Sequence, residues 1–209
     1  MGQYFRPLVI NKETNRPVMY VCAHEFDNGL KLMEHSYIGN NLVQAIEQVL
    51  IDKPSHIIWC GDYSEEVKLT KAEIKELVKK YKDTVDSENY SKEKLEKDGL
   101  TLYSLCEEFN CTELPSSSKL ASNRYKYILN LDTKQFVDKS KVKKISWGNL
   151  RIHPLPLLTC NSNGQSGGDY FNDADKDLVG TWVDNLITLV NKKSDIPKDF
   201  TELIVSFTE

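Results

Sequence analysis

Two stretches of the chain read as strand, polar turn, strand, and they constrain the fold more than any other feature. The first runs through QYFRPLVIN, NKETNRP and VMYVCAHEF; the second is RYKYILNLDTKQFVDK, starting at Arg124. Aromatic and β-branched residues fill the flanks, while Asn, Thr and Pro17 supply turn chemistry. A hairpin in each half of a 209-residue chain commits it to antiparallel pairing. The turns also align: Asn11 with Asn130, Thr14 with Thr133, Val18 with Val137, Glu13 with Asp132. Gly-Asp-Tyr recurs too, at Gly61–Tyr63 and Gly168–Tyr170, at a different offset. Two pseudo-repeated halves are one reading of this pattern; shared turn chemistry is the other.

Helical periodicity fills the space between the hairpins. In DNGLKLMEHSYIGNN, a turn precedes Leu30, Met33 and Tyr37 at helical spacing. Leu42, Val43, Ile46, Val49 and Leu50 then form an amphipathic stripe, with Asn40 or Asn41 as its cap and Pro54 ending it. HIIWCGDY reads as a buried strand running into a loop. Residues 64–98 are a charged helical excursion. There Thr70 and Glu73 form a capping box, Ile74, Leu77, Val78 and Tyr81 share a face, and Ser91 and Gly99 bound a second helix. LTLYSLCEEF continues as a helix, and the Ser-rich ELPSSSKLASN is the clearest break. Pro154 and Pro156 predict an extended HPLPLL segment. LVGTWVDNLITLV fits two short strands or a strand and a helix, and TELIVSF fits a last strand. The expected class is α+β: antiparallel hairpins with helices packed on one side. Residues 1–112 would form an N-terminal subdomain and 124–209 a C-terminal one, within a single compact unit.

Hydrophobic residues at 40% supply a core, and a net charge of -4 argues against nucleic acid as a partner. The basic run KSKVKK (Lys139–Lys144) reads as a solvated turn. No run of about 18 apolar residues occurs, so no membrane span is expected. MGQYFRPLVIN lacks the order of a signal peptide, and Arg6 stands where a myristoylation motif wants Ser or Thr. A cytoplasmic location is the expectation. Five irregularly spaced cysteines do not make a disulfide framework. Cys22, Cys60 and Cys160 read as small buried hydrophobes, and Cys106 and Cys111 lack partners for a zinc site.

The strongest chemical lead is GGDYFNDADKDLVG, Gly167–Gly180. Asp173, Asp175 and Asp177 alternate like the first ligands of an EF-hand. Leu178 stands where that loop wants Gly, and Asp184 where it wants Glu, so an EF-hand is not expected. A looser divalent-cation site (Ca²⁺ or Mg²⁺) would use Asp169, Asp173, Asp175 and Asp177, with Asn172; a solvated acidic loop is the plainer reading. NGQSGG lacks the Lys of a phosphate loop. Asp62 falls at a strand terminus, where α/β sites often lie. Glu34 and His35 adjoin, but successive helical residues point about 100° apart. Cys22 and His24 would share one strand face, and His153 would face a pocket from an extended segment. Glu34, His35, Asp62 and His153 are therefore the candidate ligand-binding residues. No G-x-S-x-G or H-E-x-x-H motif occurs.

Taken as a set, MGQYF, NGLKLMEHSYIGN, WCGDY, HPLPLL and GQSGGDY make the chain resemble a family of small uncharacterised proteins of bacteria and their phages. The likeness touches both halves but skips the charged helices. It implies a shared fold and a phage or mobile-element accessory setting, and brings no activity, cofactor or catalytic residue. The leading expectation is a non-catalytic factor binding a small molecule or a protein. Its site would be lined by the aspartate loop and LMEHSY. The alternative is a metal-assisted hydrolase of a phosphate-containing small molecule, which needs Asp62 and His35 or His153 to converge on the Asp169 loop.

Overall fold

The computed structural model describes residues 3–145, 149–161, 169–170 and 175–208. Along the chain, β1 (Phe5–Asn11) and β2 (Arg16–Tyr20) form the first hairpin. After it come α1 (Leu32–His35), α2 (Asn41–Asp52) and β3 (Ser55–Gly61). A lobe then leaves the sheet through β4 (Glu66–Val67), α3 (Lys71–Tyr81), α4 (Lys92–Lys97) and β5 (Leu100–Thr101). It returns through α5 (Leu102–Glu108) and β6 (Thr112–Glu113). The second hairpin, β7 (Tyr127–Asn130) with β8 (Gln135–Asp138), is followed by α6 (Pro154–Thr159) and β9 (Cys160–Asn161). β10 (Asn185–Val190) and β11 (Thr201–Glu202) complete the chain.

Both halves contribute to one sheet, ordered β11-β8-β7-β10-β3-β1-β2-β6, with β9 pairing β3. Most pairs are antiparallel; β11–β8, β2–β6 and β3–β9 are parallel. The class is α+β, and β10 stitches the halves together by pairing β3 on one side and β7 on the other. Side chains alternate along β3. Ile57 and Trp59 enter the larger core with α2 and α6, while Ile58 and Cys60 join Leu8 and Ile10 against α5. Helices therefore cover both faces, the α2 layer being the thicker, because β3 and β1 are apolar on both of their sides.

α2 forms as its stripe predicts. Asn40 caps it by accepting from the Leu42 N–H at 2.9 Å. Leu42, Val43, Ile46 and Leu50 are fully enclosed, each worth about 1.5–3 kcal/mol of burial. The two hairpin turns are chemically the same. Asn11 Oδ1 accepts from Glu13 and Thr14 N–H at 2.9 and 3.3 Å. Asn130 Oδ1 accepts from Asp132 and Thr133 N–H at 3.1 Å each. Asn15 and Lys134 then take the left-handed conformation. The shared sequence lies in the turns. Around them the pairing also corresponds: β3 and β10 run antiparallel beside the first strand of each hairpin, and β6 and β11 run parallel beside the second. The connecting segments differ, β2 leading into a 3-10 turn at Ala23–Phe26 and β8 into one at Lys139–Lys141.

Four segments depart from expectation, the first being the basic run, where Lys139 is buried instead of solvated. Pro154 and Pro156 open helix α6 instead of excluding it, since the first turn of a helix needs no backbone donors. The second strand ends at Tyr20, and Ala23–Phe26 turns as a 3-10 helix that buries Ala23 and Phe26. Cys22 and His24 therefore do not share a strand face. LVGTWVDNLITLV resolves into a turn followed by β10 alone. Among the described residues no helix is long and apolar enough to cross a membrane.

Candidate functional site

α1 carries two of the candidates, Glu34 and His35. His35 is fully buried, and both ring nitrogens are engaged. Nδ1 donates to the Gly29 carbonyl at 3.1 Å, so Nε2 accepts from the Trp59 indole N–H at 3.0 Å. Burial pushes the ring down to about 4, so it stays neutral near pH 7. Glu34 is exposed and folds back over the start of α1, accepting from the Lys31 N–H at 2.9 Å. Asp169 meets the same helix, accepting from the Met33 N–H at 3.0 Å. The aspartate segment and LMEHSY thus do touch, in a contact that ties the segment to the body. Burial raises the Asp169 carboxyl above its ordinary range.

His153 caps α6, its Nδ1 accepting from the Leu155 N–H at 3.2 Å. Its Nε2 therefore donates to Glu47 Oε1 at 2.8 Å, and the Lys139 ammonium contacts the same oxygen. All three residues are buried. Burial opposes ionisation of Glu47, but the His153 and Lys139 contacts outweigh it and hold the carboxyl below its ordinary range. Burial likewise holds the His153 ring down against the pull of Glu47. The network joins α2, α6 and the segment after β8, and it is a packing device by position.

The remaining aspartates disperse. Asp175, left-handed at φ 56, accepts from the Ser206 N–H, whereas Asp177 is exposed. Asp173, with Asn172, lies outside the described residues. Among the described residues no three His, Cys, Asp or Glu side chains converge to hold a metal ion. Burial pushes the Cys60 thiol up to about 11 and the Cys106 thiol up to about 12, so neither is activated.

Asp62 stands elsewhere. It follows β3 and accepts from the Tyr4 N–H at 3.1 Å. It also lines a cleft of about 450 Å³ where the α3–α4 lobe meets the end of the sheet. Around that cleft stand Glu66, Asp86, Asp98, Lys94, Tyr81 and Tyr90. Gly99 makes its edge possible: its φ is +84, and a Cβ there would come 2.2 Å from the Val67 carbonyl. Tyr81 and Tyr90 stack with centroids 3.8 Å apart. Both hydroxyls donate to Glu108 Oε1 at 2.8 Å, and Lys80 reaches Oε2 at 2.8 Å. Among the described residues the Glu66, Asp86 and Asp98 carboxylates make no ion pair. Four carboxylates against Lys94 leave the cleft strongly negative.

Sequence reasoning named Asp62 as a candidate but not its surroundings. Tyr81 showed only as part of an apolar stripe, and Tyr90 lies in a stretch with no periodicity. It also missed His56, whose Nδ1 donates to the Asp184 carbonyl at 2.8 Å. Asp184 lies 128 residues away in sequence and also binds Lys12 at 2.5 Å. No local pattern links those positions. Compared with known proteins, the chain matches no family model, no curated protein and no solved structure.

Proposed function

We infer that the protein is a non-catalytic binding factor whose cleft, between the α3–α4 lobe and Asp62, takes an extended organic cation bearing several amino or guanidinium groups. The observation that carries this reading is the lining. Asp62, Glu66, Asp86 and Asp98 surround a cleft that two stacked tyrosines also line, and the cleft's volume suits a small molecule. Carboxylates spread around a cleft favour a ligand whose charges are spread as well. The internal partners of His35 and His153 support the non-catalytic half of the reading, because neither imidazole has a nitrogen left for acid–base work.

The test is calorimetric titration of the tetra-amine spermine into the full chain at low and moderate salt. Saturable, salt-weakened binding is expected. Asp86→Asn with Asp98→Asn should weaken it about 3–10-fold while leaving the melting temperature in place. Binding that ignores both substitutions would sink the assignment.

A further inference from the structure

On the lobe, a second concavity has the opposite character. It lies between α3 and α4, has a volume of about 470 Å³, and is lined by Lys71, Lys75, Lys92, Glu96, Ile74 and Val78. Ile74, only 7% exposed, belongs to the lobe's own small core with Leu77 and Leu95, and Val78 packs beside them. The groove therefore opens onto apolar side chains, with ammonium groups at its rim.

The rim charge is only partly compensated. Lys92 pairs with Glu96 at 3.7 Å. Among the described residues the Lys71 and Lys75 side chains make no hydrogen bond or ion pair. They sit four residues apart on α3, a spacing at which like charges repel. Lys71 also opens the helix, where the backbone dipole disfavours a cation. The nearest acid in that turn, Glu73, is occupied by the Arg16 guanidinium at 2.7 Å and by Thr70. An anion bound between Lys71 and Lys75 would relieve all of this.

We propose that this groove binds a single-chain anionic amphiphile, an alkyl chain ending in a carboxylate or phosphate. The chain lies on Ile74 and Val78 and extends the lobe's core; the head sits between Lys71 and Lys75, whose aliphatic stems line the path. Size decides against a protein occupant. Stable protein interfaces use about 20–30 residues a side, and six residues line this groove. Chemistry decides against a bare anion: exposed ammonium groups attract an ion only weakly in water, and Ile74 and Val78 offer it nothing.

The experiment titrates octanoate, decanoate and dodecanoate into the full chain by calorimetry, below micelle-forming concentrations. Dodecyltrimethylammonium serves as the opposite-charge control. Affinity should rise with chain length, by less than the roughly tenfold per two carbons that full burial of each methylene would give, because Ile74 and Val78 cover only part of the chain. Lys71→Glu with Lys75→Glu should lower affinity about tenfold or more and keep the chain-length slope; Lys71→Gln with Lys75→Gln repeats the test with a milder change. Spermine already bound should not compete, which keeps this outcome separate from the fate of the acidic cleft. Equal binding of the cationic amphiphile, no chain-length slope, or indifference to both lysine variants would each overturn the proposal. So would binding only to phosphatidylglycerol vesicles, which would point to a lipid surface, or only to an acidic amphipathic peptide.

Discussion

In the body of the sheet, side chains from α2, α6 and both hairpins close over Trp59, Trp182, Phe5 and Phe207 until water is excluded. In the α3–α4 lobe the buried apolar side chains are Ile74, Leu77 and Leu95, with Leu69, Leu100 and Phe109 packed beside them, and polar contacts add to the attachment. Arg16 of β2 clamps Glu73 with two bonds, at 2.7 and 3.0 Å, and reaches the Lys68 carbonyl at 2.8 Å. That pairing holds the Glu73 carboxyl down at about 2. Glu108 gathers Tyr81, Tyr90 and Lys80 on the other side. The difference is one of commitment. In the body, His35, Glu47 and His153 have exchanged water for fixed protein partners, whereas the lobe's carboxylates and ammonium groups mostly still face solvent. Both proposed ligand sites border the lobe, the region with the least burial to lose by moving.

The largest predicted effect attacks the body. Glu47→Ala strands the Lys139 ammonium, itself only 7% exposed, without its carboxylate. Removing one partner of a buried pair costs about 3–5 kcal/mol. Denaturant unfolding should show that loss across the whole molecule, and a second change, Lys139→Met, should restore much of it. A loss confined to one element would mean that the network is local and the body is not one cooperative unit.

Acid should act next, also on the body. The His35 ring protonates at an ordinary value near 6.5 when unfolded and at about 4 when folded. Between those values the unfolded chain takes up a proton that the folded chain refuses. Stability is therefore complete above about pH 6.5 and falls as pH drops toward 4, by about 3 kcal/mol in all. His153, held down in the same direction, adds a loss of the same sign. His35→Gln should flatten the profile only in part. A profile unchanged by that substitution would separate His35 from the acid sensitivity.

The lobe should respond on a smaller, local scale. Leu77→Ala removes a fully buried side chain at a cost of about 2–4 kcal/mol. Hydrogen exchange should show faster opening of α3 and α4 with β1, β3 and β10 unmoved. Faster exchange throughout would erase the distinction between lobe and body.

Legibility in the sequence divides along the same line. Period-two and helical stripes report burial against a large core, so the hairpins, α2, β3 and the α+β class were readable. Capping chemistry is local, so the Thr70–Glu73 box was legible as well, with bonds at 3.2 and 2.6 Å. Pro154 and Pro156 misled because their effect depends on position: fatal inside a helix, harmless in its first turn. His35 and His153 stood out as candidate ligand-binding residues, but their contacts are with Trp59, Gly29, Glu47 and Lys139, and no local spacing encodes such partners. The acidic cleft was legible only at Asp62, because its lining comes from the end of β3, from β4 and β5, from three helices and from the turn between α3 and α4.

The smallest prediction tests how the lobe is tuned. Glu108 accepts both tyrosine hydroxyls on one oxygen, and its side chain is only 6% exposed. Burial first, and then the neighbouring carboxylate, push the Tyr90 phenol above its ordinary range. Glu108→Gln keeps an acceptor oxygen but removes the charge, so the stack should survive at a cost of about 1 kcal/mol. Tyr90 should then ionise at lower pH, which absorbance titration can follow, while the unfolding midpoint of the body stays put. Burial would still act on the ring, so the shift should be partial. A full return to the ordinary tyrosine range would mean that the stack had come apart, and that the lobe is held by this one carboxylate rather than by Ile74, Leu77 and Leu95.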